Sequence, residues 1–340
     1  MTYEQFEIQK RVKMKASKKI KFLIGICIGL MVLCFGISVV IPMQSKTTAF
    51  DRKYTFVCPL TWNETATGIQ AADEDFSVNT KFIGMEQMDA KKQAEAIREA
   101  ILAQPDGIIT GAAEDSEEIK NAVNMAETKG IPVILIDADL EDSNRTCYIG
   151  TDNEDAGRLA GKDMYEATGG KAHIAVIVST ISSPNQLERV NGFKEEISQY
   201  PDMSIDVVEE CHSQKLEIKE KIPEIFKEHP DINALFLAEG IASATVGKVI
   251  KDMDMDTENL QIVSFDRTQE SVEYIKEKIY YSLIVQEPYQ EGYLAVKALN
   301  DLCDGKEVED KIYTGSKSIR YDDLKEYEGQ KYEEIEWHMY

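Results

Sequence analysis

From Tyr54 onward, short apolar runs alternate with longer amphipathic stretches, the signature of βα units that build a parallel sheet. Strands are predicted at 54–59, 79–84, 107–110, 132–136, 146–149, 172–178, 203–208, 234–238, 260–264 and 280–285. The stretch between the second and third, DAKKQAEAIREAILA (89–103), sets Ala94, Ile97, Ile101 and Leu102 on one helical face, which needs a sheet to pack on. Lys129-Gly130-Ile131-Pro132 closes one helix and launches a strand, and Asp152 opens another helix as its cap.

The first strands fill one βα set to about residue 150, and a second set begins near Asp152. A chain of 340 residues is used up by two such lobes. No heptad array, short repeat or low-complexity tract interrupts them, and the acidic, Tyr-rich stretch 321–340 reads as a surface tail. The net charge of −23 repels phosphate backbones and disfavours nucleic acid as a partner. None of the six cysteines (Cys27, Cys34, Cys58, Cys147, Cys211, Cys303) forms a CxxC pair or a Cys/His cluster, so no metal is expected, and scattered beside apolar runs they suit buried packing better than disulfides.

Residues 22–41, FLIGICIGLMVLCFGISVVI, are long and apolar enough to cross a bilayer core of ~30 Å as a helix. Lys13, Lys15, Lys18, Lys19 and Lys21 precede it and stay on the cytoplasmic side, so residues 1–21 form a basic tail, 22–42 a transmembrane anchor or signal segment, and the remainder is extracytoplasmic. The length favours an uncleaved single-pass anchor in the cell membrane. Thr47 and Ala49 supply the small-x-small site that a cleaved, secreted form would need. The residues before Cys27 and Cys34, Ile26 and Leu33, do not match a lipid-attachment box.

Ligands of open α/β sheets sit beyond the carboxyl ends of the strands. Applied here, that rule selects Trp62, Asn63 and Glu64 after the first strand and Asp137 and Asp139 after the fourth. It also selects Glu239 after 234–238, Asp266 and Arg267 after 260–264, and Gln286 at the end of 280–285. Carboxylates and amides of fixed geometry, with an aromatic face, suit a solute whose hydroxyls both donate and accept. Each has a plainer role open to it: Asp137 and Asp266 as turn caps, Glu239 as a helix N-terminal acid, Trp62 as a core residue. The chain lacks a P-loop, a GxGxxG after the first strand, a GxSxG elbow and an HExxH pair, and His173 falls within a predicted strand where a core position is expected. No enzyme and no cofactor is indicated.

The segments DGIITGAAEDSEEIKNAVNMAETKGIPVILID (106–137), YIGTDNEDAGRLAGKDM (148–164), ERVNGF (188–193), INALFLAEG (232–240), IVSFDRTQE (262–270) and SLIVQEPYQEGYLAVKAL (282–299) resemble, in that order, the ribose-binding-protein group of type I periplasmic binding proteins. The resemblance implies two Rossmann-like lobes with parallel sheets joined by a three-crossing hinge, here near Thr151, near Gln286 and around Tyr313 to Ser316. It assigns 54–151 with 287–313 to an N-lobe and 152–286 with 314–320 to a C-lobe. By position Asn63, Asp137, Asp266 and Gln286 match ligand-contacting residues of the family pattern, Glu239 stands where it has Asn, and Arg189 matches the Arg of its R-x-x-G-F segment. Ala138, Leu187, Thr65 and Ala66 depart from it, replacing two Arg and two stacking Phe, which counts against ribose itself and leaves the pocket more acidic.

The resemblance implies a sugar-like small-molecule ligand delivered to the permease of an ABC transporter. The alternative is a membrane-anchored sensor that presents solute status to a histidine kinase. The same fold serves LacI-type repressors, but a membrane segment stands where their helix-turn-helix would be.

Overall fold

The computed structural model describes residues 52–86, 89–255 and 259–324, all within the compact unit Asp51–Tyr340. The basic tail, the apolar segment 22–42 and most of the acidic tail lie outside them; among the described residues no helix is long and apolar enough to cross a membrane.

The first lobe runs β1 (Lys53–Pro59), α1 (Asn63–Phe76), β2 (Asn79–Met85), α2 (Ala90–Leu102), β3 (Gly107–Thr110), α3 (Glu117–Thr128), β4 (Val133–Ile136) and β5 (Cys147–Gly150). The second runs α4 (Asn153–Thr168), β6 (Ala172–Val178), α5 (Pro184–Ile197), β7 (Met203–Glu210), α6 (Lys215–Glu228), β8 (Ala234–Leu237), α7 (Gly240–Asp252), β9 (Gln261–Phe265), α8 (Gln269–Lys276) and β10 (Ser282–Val285). The chain then returns to the first lobe as α9 (Pro288–Cys303) and β11 (Lys311–Tyr313), and ends in the second as β12 (Lys317–Arg320) with a 3₁₀ turn at Tyr321–Asp323. Sheet orders are β11-β5-β4-β3-β1-β2 and β12-β10-β9-β8-β6-β7. Every pairing is parallel except β10 with β12, where Ser282 faces Arg320 in antiparallel register. The chain thus passes between the two sheets at 150–153, 285–288 and 313–317.

Side chains alternate across each strand, and both faces are apolar, as a sheet covered by helices on both sides requires. Tyr54, Phe56 and Cys58 of β1 join Ile134 and Ile136 of β4 under α1 and α9, while Val57, Val133 and Leu135 face α2 and α3. In the second lobe Ile174, Val176 and Val178 of β6 face α4 and α5, and Ala175 and Ile177 face α6, α7 and α8. Each such buried aliphatic or aromatic side chain contributes roughly 1.5–3 kcal/mol.

Local signals behave as the sequence implies at most points. Asp89 caps α2 by accepting from Lys92 N at 3.0 Å, Asp152 caps α4 by accepting from Asp155 N at 3.0 Å, and Gly130 takes φ +74° after α3. Four expectations are corrected. Leu102, the last residue of α2, is 82% exposed, because the buried face of the helix is Gln93, Ala94, Ile97, Ala100 and Ile101 and Leu102 stands one position round from it. His173 points outward from β6 and pairs with Asp206 at 2.7 Å. Cys303 is exposed, whereas Cys58, Cys147 and Cys211 are buried. Tyr321–Asp323 and Leu324, expected in the tail, complete the second lobe, with Leu324 buried beside Ile319 in its core.

Two helix pairs meet backbone to backbone. A Cβ at Gly157 would stand 2.1 Å from the carbonyl oxygen of Arg189, and one at Gly192 2.0 Å from that of Glu154, so α4 and α5 touch only because both positions are glycine. In the first lobe Gly68 and Gly292 do the same for α1 and α9, with hypothetical Cβ atoms 1.9 Å from Tyr289 O and 2.1 Å from Thr65 O. These contacts fix the helices that carry Arg189 and Glu291.

Candidate solute-binding site between the lobes

Asp137 and Asp266 occupy equivalent places, each directly after the fourth strand of its lobe, and both adopt left-handed backbone, φ 61° and 66°. Aspartate tolerates this conformation better than most residues. Both stand beyond the strand ends, the Asp137 carboxylate meeting the other lobe and that of Asp266 meeting the second crossing.

Arg189, on α5, joins them. Its side chain is 2% exposed, its Nε donates to Asn153 Oδ1 at 2.9 Å, Nη1 to Ala238 O at 2.9 Å and Nη2 to Gln286 Oε1 at 2.9 Å. Its Cζ lies 4.0 Å above the Phe265 ring, and Nη2 stands 4.0 Å from Asp137 Oδ1. Gln286, at the second crossing, passes the network on by donating from Nε2 to Asp266 Oδ1 at 2.5 Å. One hydrogen-bonded chain therefore unites α4, α5, the crossing residue and the loop after β9.

Further contacts close the first lobe on the second. Asn185 Nδ2 donates to Asp137 Oδ2 at 3.0 Å, Asp115 N donates to Ser182 O at 3.0 Å, and Glu64 at the start of α1 pairs with Arg267. The Asp137 side chain keeps 29% of its surface accessible, yet protein surrounds it from both lobes. That burial pushes its carboxyl up to about 6, against the pull of Arg189 and with the negative charge of Asp266 adding to the rise.

The remaining predicted residues lie around this network. Trp62 immediately precedes α1 and rests half-buried on Phe56, ring centroids 6.1 Å apart, with its ring edge against Gly111. Asn63 is the exposed first residue of α1. Glu239 is buried at the start of α7 and takes the plainer of its two roles: Oε2 accepts from Ile241 N at 2.8 Å and Oε1 from Ala242 N at 2.6 Å, while Ser213 and Cys211 approach the same oxygens. Burial raises its carboxyl, and those two main-chain donors oppose the rise. Asp139 turns away from the cleft to pair with Arg145, which also holds Asp310.

Four participants escaped the sequence reading. Asn153 and Asn185 orient Arg189 and Asp137, and Tyr148 donates to the Asp137 carbonyl at 3.0 Å or the Thr151 carbonyl at 3.1 Å. Asn185 lies one turn before Arg189 on α5, a spacing that could have flagged it. Glu291, on α9, is 2% exposed, its Oε1 has no hydrogen-bond partner among the described residues, and burial raises its carboxyl well above the usual range, with Asp137 adding to the rise and Arg189 opposing it. Its signal was an acid on the stripe shared with Ala295 and Leu299.

The periplasmic binding protein domain model matches residues 59–307. The ribose import binding protein RbsB of Bacillus subtilis (strain 168) is 24% identical over 228 residues, 66% of this chain and 72% of the relative. Among solved structures, GanP, a glucose-galactose binding protein from Geobacillus stearothermophilus, is 33% identical, with a TM-score of 0.77 over 81% of this chain and 99% of its own. A chain of a XylFII–LytSN complex is 28% identical, with a TM-score of 0.74 over 80% of this chain and 98% of its own. Two parallel-sheet lobes, three passages between them and a polar network at the facing strand ends carry the same assignment: the chain belongs to the periplasmic binding protein domain family, as a solute-binding protein of the type I fold and not an enzyme.

Proposed function

We propose that this protein binds a sugar or sugar-like small molecule between its lobes outside the cytoplasm and delivers it to an ABC transporter, held at the membrane by the apolar segment 22–41. The observation that carries the reading is the chain Asp137, Arg189, Gln286 and Asp266, in which fixed donors and acceptors from both lobes converge where the strands end. A polyol answers such a site, because each hydroxyl both donates and accepts. The similarity to GanP and RbsB, whose names state sugar ligands, supports the same class. Solute contacts are proposed for Trp62, Asn63, Asp137, Arg189, Asp266 and Gln286, with Glu239 shaping the wall through its helix cap.

Thermal unfolding of the full-length protein against pentoses, hexoses and polyols tests this. A solute at 100 times its Kd adds roughly 2.7 kcal/mol to the native state. A shift that Asp137→Ala and Asp266→Ala abolish supports the reading; a well-folded protein that answers no solute overturns it.

A sensor role is the second reading, favoured by the membrane segment and by the similarity to XylFII, a protein seen in complex with LytSN. In that reading the closed lobes dock on the extracytoplasmic part of a membrane receptor such as a histidine kinase. Deleting the chain would then abolish the transcriptional response to the solute and leave its uptake intact; loss of uptake supports delivery.

A further inference from the structure

Tyr148 stands on β5 just before the first passage between the lobes, and its side chain is buried. The phenol oxygen lies 3.0 Å from Asp137 O and 3.1 Å from Thr151 O, and Asn153 Nδ2 donates to it at 3.4 Å. The ring meets that of Tyr313, at the third passage, edge on with centroids 6.4 Å apart. Gly150 leaves room for the phenol, since a Cβ there would stand 2.4 Å from its oxygen. The Gly150 carbonyl in turn accepts from Thr314 N at 2.9 Å, which joins the first passage to the third.

A phenol has one proton to donate, and here it faces two carbonyls. Asp137 O belongs to the left-handed turn, φ 61°, that carries the first lobe's carboxylate to the site, whereas Thr151 O belongs to the passage itself. Asn153, the first residue of α4, decides between them. Its amide donates to Thr151 O at 3.2 Å as well as to the phenol, while its Oδ1 accepts from Arg189 Nε at 2.9 Å. With Thr151 O supplied by Asn153, the phenol proton is released to Asp137 O. Arg189, Asn153, Tyr148 and the Asp137 main chain thus form one line from the second lobe, through the hinge, to the turn of the first. When α4 swings away with its lobe it takes the Asn153 amide with it, and Thr151 O is left to claim the phenol.

We propose that Tyr148 is a positioning residue that couples closure of the lobes to the Asp137 turn, its proton held on Asp137 O in the closed arrangement and on Thr151 O in the open one. This rests on the solute-binding reading above for what closure serves, and it names the side chain that makes the hinge favour the closed form.

The test measures closure without any solute. Asp115 N donates to Ser182 O across the lobes at 3.0 Å, and both residues are exposed, so Asp115→Cys with Ser182→Cys places two thiols together only when the lobes are closed. Cys27→Ser, Cys34→Ser and Cys303→Ser leave Cys58, Cys147 and Cys211, all buried, as the other thiols. The effective concentration of the introduced pair, read in the full-length protein from its equilibrium with a glutathione buffer, follows the closed population. Tyr148→Phe keeps the ring, removes the proton and should lower that concentration about fivefold, the worth of one hydrogen bond. Gly150→Ala, whose Cβ takes the place of the phenol oxygen, supplies a second variant should the first fail to fold. Tyr280→Phe is the control: its buried phenol donates to Ser243 O at 2.8 Å and accepts from Gly247 N at 2.8 Å wholly within the second lobe, so its loss should lower the melting temperature and leave the thiol pair unchanged. A concentration that Tyr148→Phe leaves within about twofold of the parent, or that Tyr280→Phe lowers equally, reduces Tyr148 to a packing residue and overturns the proposal. A fivefold loss in a protein whose melting temperature answers none of the pentoses, hexoses and polyols overturns the solute reading and leaves the hinge role of Tyr148 standing.

Discussion

Asn185 and Asp137 come from different lobes and meet in a single hydrogen bond, Nδ2 to Oδ2 at 3.0 Å. Because Asp137 also faces Arg189, the bond couples closure of the lobes to the placement of a carboxylate in the site. Hydrogen bonds to charged groups contribute roughly 1.5–3 kcal/mol. Asn185→Ala should therefore weaken solute binding by about tenfold or more, with little change in the melting temperature of the solute-free protein. Calorimetry of the variant checks it, and unchanged affinity would show that the bond is incidental to closure.

Arg189 cannot be replaced by lysine. Its fork satisfies Asn153, Ala238 and Gln286 at once while its plane lies on Phe265, and an ammonium offers neither the planarity nor the spacing. Arg189→Lys is expected to lose about 2–4 kcal/mol in urea unfolding, approaching the cost of breaking a buried charged network outright. A loss below about 1 kcal/mol would place Arg189 among ordinary surface-like pairs.

The raised carboxyl of Asp137 sets a pH dependence. Its folded value of about 6 lies above the ordinary 3.8, so between the two the native state binds more protons than the unfolded chain. Its contribution is complete at low pH and is lost as pH rises through about 6. Asp137→Asn should accordingly gain stability relative to the unaltered, solute-free protein as pH is raised from 4 to 7, and level off above that. Asp73, lifted to about 6 by burial against the pull of Thr80, acts in the same direction at a site remote from the cleft, so the comparison between Asp137→Asn and the parent isolates the first residue. Melting curves across that range measure it; a flat difference would contradict the assigned burial.

Gly157 tests how tightly α4 and α5 are joined. An added Cβ would stand 2.1 Å from Arg189 O, a backbone atom that cannot step aside without moving the guanidinium. Gly157→Ala should cost roughly 1–3 kcal/mol and lower solute affinity as well, whereas Gly305→Ala, with open space around it, should leave affinity unchanged.

The strands expected near 54–59, 107–110, 172–178 and 234–238 appear within a residue or so of those positions, because a strand buried on both faces is written as an unbroken apolar run. Lys311–Tyr313 and Lys317–Arg320 were not foreseen: they are short, half-buried and polar, and they are strands only because a lobe edge is there to receive them. Asp137, Asp266 and Gln286 were legible because strand ends aim the loops that follow them, whereas Arg189, inside α5, was legible only through its match to the R-x-x-G-F segment of the family it resembles. Glu239 could be placed near the site but not given its partners, since whether a helix-start acid caps the helix or faces a ligand depends on rotamer alone. Glu291 was hidden by its surroundings, an acid on a stripe whose other members pack the core.

Helix α9 and strand β11 belong to the first lobe but are encoded after all of the second except its edge strand β12 and closing turn. As the chain emerges from the ribosome, Phe56, Ile109 and Ile134 wait without the cover of Ala295, Val296 and Leu299, and β5 waits with an open edge. The second lobe lacks only its final edge strand, β12, at that stage. The lobe that starts first therefore finishes nearly last, and in the interval its exposed apolar face is the natural point of attachment for chaperones and of misassembly between nascent chains.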